Sequence, residues 1–221
     1  LGFEDGGFSL NAEEMAALVA AGMEQLTIGL EDGAHDVSVD GLRYEGNLLL
    51  RSPEDGGEFY IISQINHSGG TLAYEGSGQT QNTSADTITS GADILVDDAL
   101  NLVYTETSGN YFGDNTIYFD TTNDGANPEG ADILISGDVL GTDFGNGGTL
   151  YLNAGTTGNI VVQGGVGTLE TLGGVVILNA HDVSFEGNII LESFEQRNGT
   201  GSSTFGATAS HFVLTTGDNF I

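Results

Sequence analysis

The sequence predicts an all-β chain coiled as a solenoid, and three observations predict it. Glycine fills 36 of 221 positions beside only 2 prolines, 2 methionines and no tryptophan, a turn-rich composition foreign to helical proteins. From Gln25 onward, short runs of alternating apolar and polar residues follow one another with no helical period between them. Their length, about four to seven residues, is that of ordinary strands. Phrases also return: GGTLYLNAG at 147–155 is echoed by GGVVILNAH at 173–181. Strand-sized runs with a period of about 20 to 50 residues mark coils that bury their apolar faces on one another. The interval between these two phrases, taken as one coil, suits a three-faced parallel β-helix of roughly eight or nine rungs, about 40 Å long at ~4.8 Å per rung. A sandwich is the rival architecture, but it has no need to repeat phrases.

The one helical stretch is FSLNAEEMAALVAAGMEQL. Asn11 suits the N-cap with Glu14 three residues on, and Glu13 and Glu14 face the positive end of the helix dipole. Met15, Leu18, Val19 and the more distal Met23 form an apolar stripe, and Gly22 is the expected stop. Residues 1–24 therefore read as an N-terminal segment with a capping helix, and 25–221 as a single β-solenoid domain.

The strand runs include QLTIGL, DVSVDG, NLLLRS, EFYIIS, TLAYEG, DILVDD, TIYFDT, DILISG, TLYLNA, NIVVQG, VVILNA, DVSFEG and NIILESF. Other phrases echo as well. Gly69-Gly70-Thr71-Leu72 precedes Gly147-Gly148-Thr149-Leu150 by a whole multiple of the interval that separates the first pair. AHDVSV at 34–39 returns as AHDVSF at 180–185, each followed by Glu-Gly-Asn and an aliphatic triplet. GADILV at 91–96 returns as GADILI at 130–135. If the echoes are successive coils, Leu150 and Leu152 stack on Val175 and Ile177, with Asn153 and Asn179 stacked at a corner. Unequal spacings imply longer loops on some rungs, around NTSADTITSG at 82–91 and DTTNDGANPEG at 120–130.

The stretch from Gly147 to Ala207 resembles the β-strand repeats of very large secreted bacterial proteins related to filamentous haemagglutinin. Leu150, Leu152, Ala154 to Thr156, Gly158, Ile160 and Gly164 fit the phrase L-x-L-x-A-G-T-G-x-I-x-F-x-G. Val183, Phe185 and Gly187 fit the later phrase V-x-F-x-G, Gln196, Gly199 to Gly201 and Phe205 fit Q-x-x-G-T-G-x-x-x-F, and the helix followed by Leu26-Thr27-Ile28-Gly29 looks like the lead-in to such arrays. The resemblance implies a right-handed parallel β-helix in an exported adhesin or extracellular scaffold, secreted or held at the cell surface. It carries no catalytic residues. The acidity and the long middle loops depart from the plain repeat.

Charge narrows the function. There are 32 Asp and Glu against three arginines (Arg43, Arg51, Arg197) and no lysine, a formal charge of −29. Such a surface repels phosphates and anionic lipid, which argues against nucleic-acid binding and electrostatic membrane docking. Without cysteine there are no disulfides, thiol catalysts or thiolate metal sites. No apolar run reaches the ~18 to 20 residues of a membrane span. The chain starts at Leu1 and lacks a basic leader region, so it reads as a processed product or a segment of something longer.

Few residues suggest chemistry. Asp120-Thr121-Thr122-Asn123-Asp124-Gly125 has the alternating oxygens and glycine of a calcium loop, but its twelfth position is Ala131 rather than glutamate. Asp120, Asp124 and Asp132 are the candidate ligands, calcium the candidate ion, and no other cofactor is expected. His35 and His181 fall at matching places in the two AHDV phrases, so repetition explains them better than a metal. Asp97 and Asp98 point to opposite faces of a strand and cannot converge for acid–base work, and the scarcity of basic residues disfavours a polysaccharide lyase; no enzyme is expected. Asn82 and Asn198 match the N-x-S/T acceptor pattern, which is frequent in so polar a chain. Tyr44, Tyr60, Tyr74, Tyr104, Tyr111, Tyr118 and Tyr151 fall mostly beside alternate core residues; any that stack outside the coil would form a platform for glycans or partners. The expected role is a non-enzymatic structural or adhesive segment, self-assembling through its open solenoid ends or binding protein partners; the alternative is a carbohydrate- or calcium-binding β-helix module.

Overall fold

The computed structural model describes residues 12–29, 36–51, 59–75, 81–103, 116–141, 148–169, 172–206 and 212–214. After helix α1 (Ala12–Ala20) the chain winds through three-strand circuits. These are β1 (Gln25–Ile28), β2 (Val37–Val39) and β3 (Arg43–Glu45); β4 (Asn47–Arg51), β5 (Phe59–Ile61) and β6 (Ile65–Ser68); and β7 (Leu72–Glu75), β8 (Gln81–Thr83) and β9 (Thr87–Ser90). Next come β10 (Ile94–Asp97), β11 (Leu100–Leu102) and β12 (Thr116–Asp120), then β13 (Ile133–Ile135), β14 (Val139–Gly141) and β15 (Thr149–Asn153). The chain continues with β16 (Ile160–Val162), β17 (Leu172–Asn179), β18 (Val183–Phe185), β19 (Ile189–Gln196), β20 (Ser203–Phe205) and β21 (Phe212–Leu214). Among these residues every strand pairing is parallel.

Three faces result. The first is an eight-stranded sheet from β1 to β20, and the third an eight-stranded sheet from β3 to β21. The middle face has five strands, β2 to β14, and bridges from Val139 to Val166 and from Val166 to Ile189 carry it further. The fold is thus the parallel β-solenoid that the glycine-spaced strand runs predict.

Strand alternation sends every second side chain inward, and parallel register stacks these side chains in columns. On the first face Leu48, Leu72, Ile94, Ile133, Ile160 and Val183 lie in one column, each at most 1% exposed. Beside it run Leu50, Tyr74, Val96, Ile135, Val162 and Phe185. On the third face Leu150 stacks on Val175 and Leu152 on Ile177, and Asn153 pairs with Asn179 across a bulge, as the 147/173 echo predicts. Burying one such aliphatic side chain is worth roughly 1.5–3 kcal/mol, so the columns dominate the stability.

The helix closes the N-terminal end. Met15 is buried and Leu18 and Val19 pack against the core, while Glu13 and Glu14 lie in the first turn. Gly22, at φ +74°, ends the helix with its N–H on the Val19 carbonyl. Met23 does not belong to the buried stripe: it is exposed, and its carbonyl accepts a hydrogen bond from the Tyr44 hydroxyl. The expected cap Asn11 lies outside the described residues.

Successive coils differ in length, as the unequal spacings imply: Leu72 is the register partner of Ile94, yet Ile94 is the partner of the much more distant Ile133, and Val183 that of the near Ser203. One expectation about repetition needs correction, because some echoes fall on different faces. Leu72 belongs to the first face and Leu150 to the third, while Val37 to Val39 lie on the middle face and Val183 to Phe185 on the first. All three faces need a tight corner followed by alternating aliphatics, so the same words recur at each face and not only at each coil. Only the 91/130 and 147/173 echoes are true neighbours. The stretch 82–91, expected to be a loop, holds the end of β8 and all of β9, whose inward side chains are threonines.

Glycine at one corner is dictated by space. A Cβ on Gly137 would sit 2.3 Å from the Asp98 carbonyl carbon, one on Gly164 would sit 2.2 Å from Gly137, and one on Gly187 2.2 Å from the Gly164 oxygen. Coils stack there backbone on backbone, leaving no room for a side chain. Gly164→Ala is therefore expected to destabilise the fold by about 3 kcal/mol through overpacking, read as a lowered midpoint with an unchanged slope in urea unfolding.

Candidate functional site

The polar groups that organise this molecule sit at the coil corners. The residue preceding each first-face strand is Asp93, Asp132, Asn159, Asp182 or Ser202 in the later coils, and side chain reaches to main chain from one to the next. Asp93 Oδ1 accepts from the Asp132 N–H at 3.0 Å. Asp132 Oδ1 accepts from Asn159 N at 2.7 Å and Asn159 Nδ2 at 3.1 Å. Asn159 Oδ1 accepts from Asp182 N at 3.2 Å, and Asp182 Oδ1 from Ser202 N at 2.7 Å and Ser202 Oγ at 2.9 Å. These donations hold the Asp182 carboxyl below the usual carboxylate range, the Ser202 N–H foremost and the neighbouring His181 also contributing. Sequence reasoning missed this column, although its signal is visible as Asp or Asn directly before an aliphatic alternation in DILV, DILI, NIVV and DVSF.

This column separates the candidate calcium ligands. Asp132 is a rung of it. Asp120, in contrast, is buried and folded back on its own turn: its carboxylate accepts from Thr122 N and Thr122 Oγ1, both at 2.6 Å, and from Asp124 N at 3.1 Å. Asp124 is exposed and, like Asn123, adopts a left-handed backbone conformation, at φ 55° and 54°. The segment 120–130 is thus the irregular connection expected from sequence, pinned by Thr121 Oγ1 to the Ala131 and Asn153 carbonyls and by Asn153 Nδ2 to Thr122 Oγ1. No group of three or more Asp, Glu or His placed to hold a metal occurs among the described residues.

Of the tyrosines, Tyr44 and Tyr74 are interior. The Tyr74 hydroxyl meets Thr87 Oγ1 at 3.0 Å, and complete burial pushes its ionisation far up. Tyr118 and Tyr151 form an outer pair on the third face, stacked with centroids 4.6 Å apart. The Arg197 guanidinium lies 5.8 Å from the Tyr151 centroid and makes a two-pronged contact with Glu195, at 2.9 and 3.1 Å. The rings cover each other's faces, so a glycan would meet edges and hydroxyls rather than an open platform. Tyr104, Tyr111, His35 and His211 lie outside the described residues. His181 pairs with Asp182 at 3.1 Å on the surface.

His67 is a different matter, since it is 3% exposed inside the coil. It stacks with Tyr44 at 6.3 Å and is in register with Thr89 on the next coil. Its Nε2 contacts the Gly70 carbonyl at 2.9 Å, which fixes the neutral tautomer with the proton on that nitrogen. Its Nδ1 has no hydrogen-bond partner among the described residues. Burial lowers its pKa, with the contact to the Gly70 carbonyl opposing. Asp86 shifts the other way: its carboxyl is raised by burial and by the Asp124 charge, against the lowering effect of the Tyr118 N–H it accepts.

Comparison with protein-family models, curated proteins and solved structures finds no match to this chain.

Two measurements follow from this geometry. Asn159→Asp removes the amide donor to Asp132 and adds a fourth carboxylate to the column beside Asp93, Asp132 and Asp182; a loss of about 1 kcal/mol is expected in urea unfolding at neutral pH, shrinking as salt screens the row. For His67 the folded pKa lies below the ordinary 6.5, so the unfolded state binds the extra proton. Stability from this group is complete above that value and is lost as pH falls below it, at no more than about 1.4 kcal/mol per pH unit. Asp86 acts with the opposite sign, so the comparison needs His67→Gln, which keeps a donor for Gly70 and should flatten the slope between about pH 7.5 and 5.5.

Proposed function

We propose that this chain is a structural or adhesive β-solenoid segment of a large secreted or surface-attached bacterial protein, working without catalysis as a rod, filament or scaffold subunit. The observation that carries the reading is the pair of continuous eight-stranded parallel faces around one apolar interior. Such a body is stiff along its axis because each coil is hydrogen-bonded to the next, and it offers long repetitive flanks for contact. The charge of −29 supports a setting rich in cations and disfavours nucleic acid and direct membrane insertion as partners. The resemblance of 147–207 to haemagglutinin-like repeats supports the secreted setting.

One end is covered by α1. At the other, β20 and β21 are the last strands of their faces among the described residues, and open strand edges recruit further strands. Protein partners, or other copies meeting end to end, are therefore the proposed contacts. Cell-surface glycans or calcium form a second reading, for which the edges and hydroxyls of the Tyr118–Tyr151 pair and the exposed carboxylate of Asp124 are the contacts on offer.

Negative-stain imaging of the intact assembly, combined with sedimentation across a concentration series, tests the main reading. Elongated particles that lengthen with concentration, or rods joined to further domains, are expected. A compact monomer at every concentration would sink it. Calorimetry with calcium and a glycan panel separates the second reading, which fails if neither yields heat.

A further inference from the structure

The final corner before β20 carries a reactive amide. Asn198 is exposed and is followed by Gly199, a residue with no Cβ to shield its own amide nitrogen. Its neighbours are tied down: Thr200 N donates to the Ala180 carbonyl at 3.2 Å and Gly201 N to the His181 carbonyl at 2.8 Å. The Gly199 N–H, by contrast, has no hydrogen-bond partner among the described residues. Among the described residues Asn198 is held at its far end, Nδ2 donating to the Leu178 carbonyl at 3.1 Å. The superficially similar Asp124-Gly125 pair differs at the decisive atom, because Gly125 N is engaged by Thr122 Oγ1 at 3.0 Å.

We infer that Asn198 is a site of spontaneous deamidation that acts as an ageing switch on the last coil. The Gly199 nitrogen gives up its proton to solvent base and attacks Asn198 Cγ. The new Cγ–N bond forms as the Cγ–Nδ2 bond breaks, and ammonia leaves with a proton. Water then opens the cyclic imide at either carbonyl, giving aspartate or isoaspartate, with no oxidation or reduction. Both products lose the donor that holds Leu178 and place a carboxylate beside that carbonyl. Isoaspartate also adds an atom to the main chain just before Thr200 and Gly201, whose N–H groups are the ones that dock this corner on the preceding coil. The coil containing β20 therefore loosens.

The test is to age the folded chain at mildly alkaline pH beside the same chain in denaturant and to map peptides. Cleavage after Arg197 places Asn198 at the start of its own fragment, separate from Asn146-Gly147. Conversion in the folded chain at a rate close to that of the denatured chain is expected, with a shift of one negative charge and faster hydrogen exchange over 199–206. Gly199→Ala should slow the conversion at least about tenfold. It is tolerated in the fold, since its Cβ would meet chiefly the movable Gln196 amide, at 2.9 Å. An amide that survives in the folded chain while the denatured chain loses it overturns the inference, and unchanged exchange in aged protein overturns the switch.

Discussion

Everything in this molecule depends on one coil settling on the next in parallel register. The main-chain ladder fixes the separation, and at that separation side chains at equivalent positions are in contact. Six successive inward residues of the first face, Leu48 to Val183, show the consequence: each is sealed by the coil on either side. The same closeness demands glycine where backbone meets backbone, as at Gly137, Gly164 and Gly187. An aliphatic column and a glycine corner are thus two results of a single spacing.

Magnitudes separate what holds the coils together from what aligns them. The buried aliphatics each contribute on the order of 2 kcal/mol, while an exposed side-chain hydrogen bond contributes about 1 kcal/mol or less. The corner column from Asp93 to Ser202 therefore adds little cohesion. Its value lies in direction, since each oxygen meets the N–H of one residue on the next coil and a slipped coil would leave it unmet. Asn159 between Asp132 and Asp182 also keeps two charges apart, which matters in a chain with a charge of −29. Among the described residues, buried polar side chains fall into two groups: His67, Thr83, Thr87 and Thr89 take places that aliphatics fill elsewhere, and Asp120, Thr121 and Thr122 fold the turn that leaves β12.

Much of this was legible from residues alone. The glycine-punctuated alternation predicted strands such as Ile94–Asp97 and Ile133–Ile135, and the echo of GADILV in GADILI placed them on adjacent coils. Strands with weak patterns escaped. Arg43–Glu45 and Gln81–Thr83 are short and polar and carry no apolar alternation to mark them, and Thr87–Ser90, within the stretch expected to be a loop, turns threonines inward; they are strands because neighbouring coils supply their ladders. The candidate site was less legible. Asp120, Asp124 and Asp132 read as one oxygen-rich loop, but Asp120 turns back to cap its own segment while Asp132 joins the corner column.

The sequence by itself determined the class of fold, the N-terminal helix with its stop at Gly22, and which residues alternate inward, because these follow from local periodicity and from the conformational range of glycine. Only the tertiary structure decided which face each repeated phrase occupies, that the coil from Ile94 to Ile133 is far longer than the one from Val183 to Ser203, that His67 is sealed inside and that the corner aspartates bond in series. Those facts depend on contacts between residues far apart in the chain, and their register is set by the coil beneath, which local spacing does not encode.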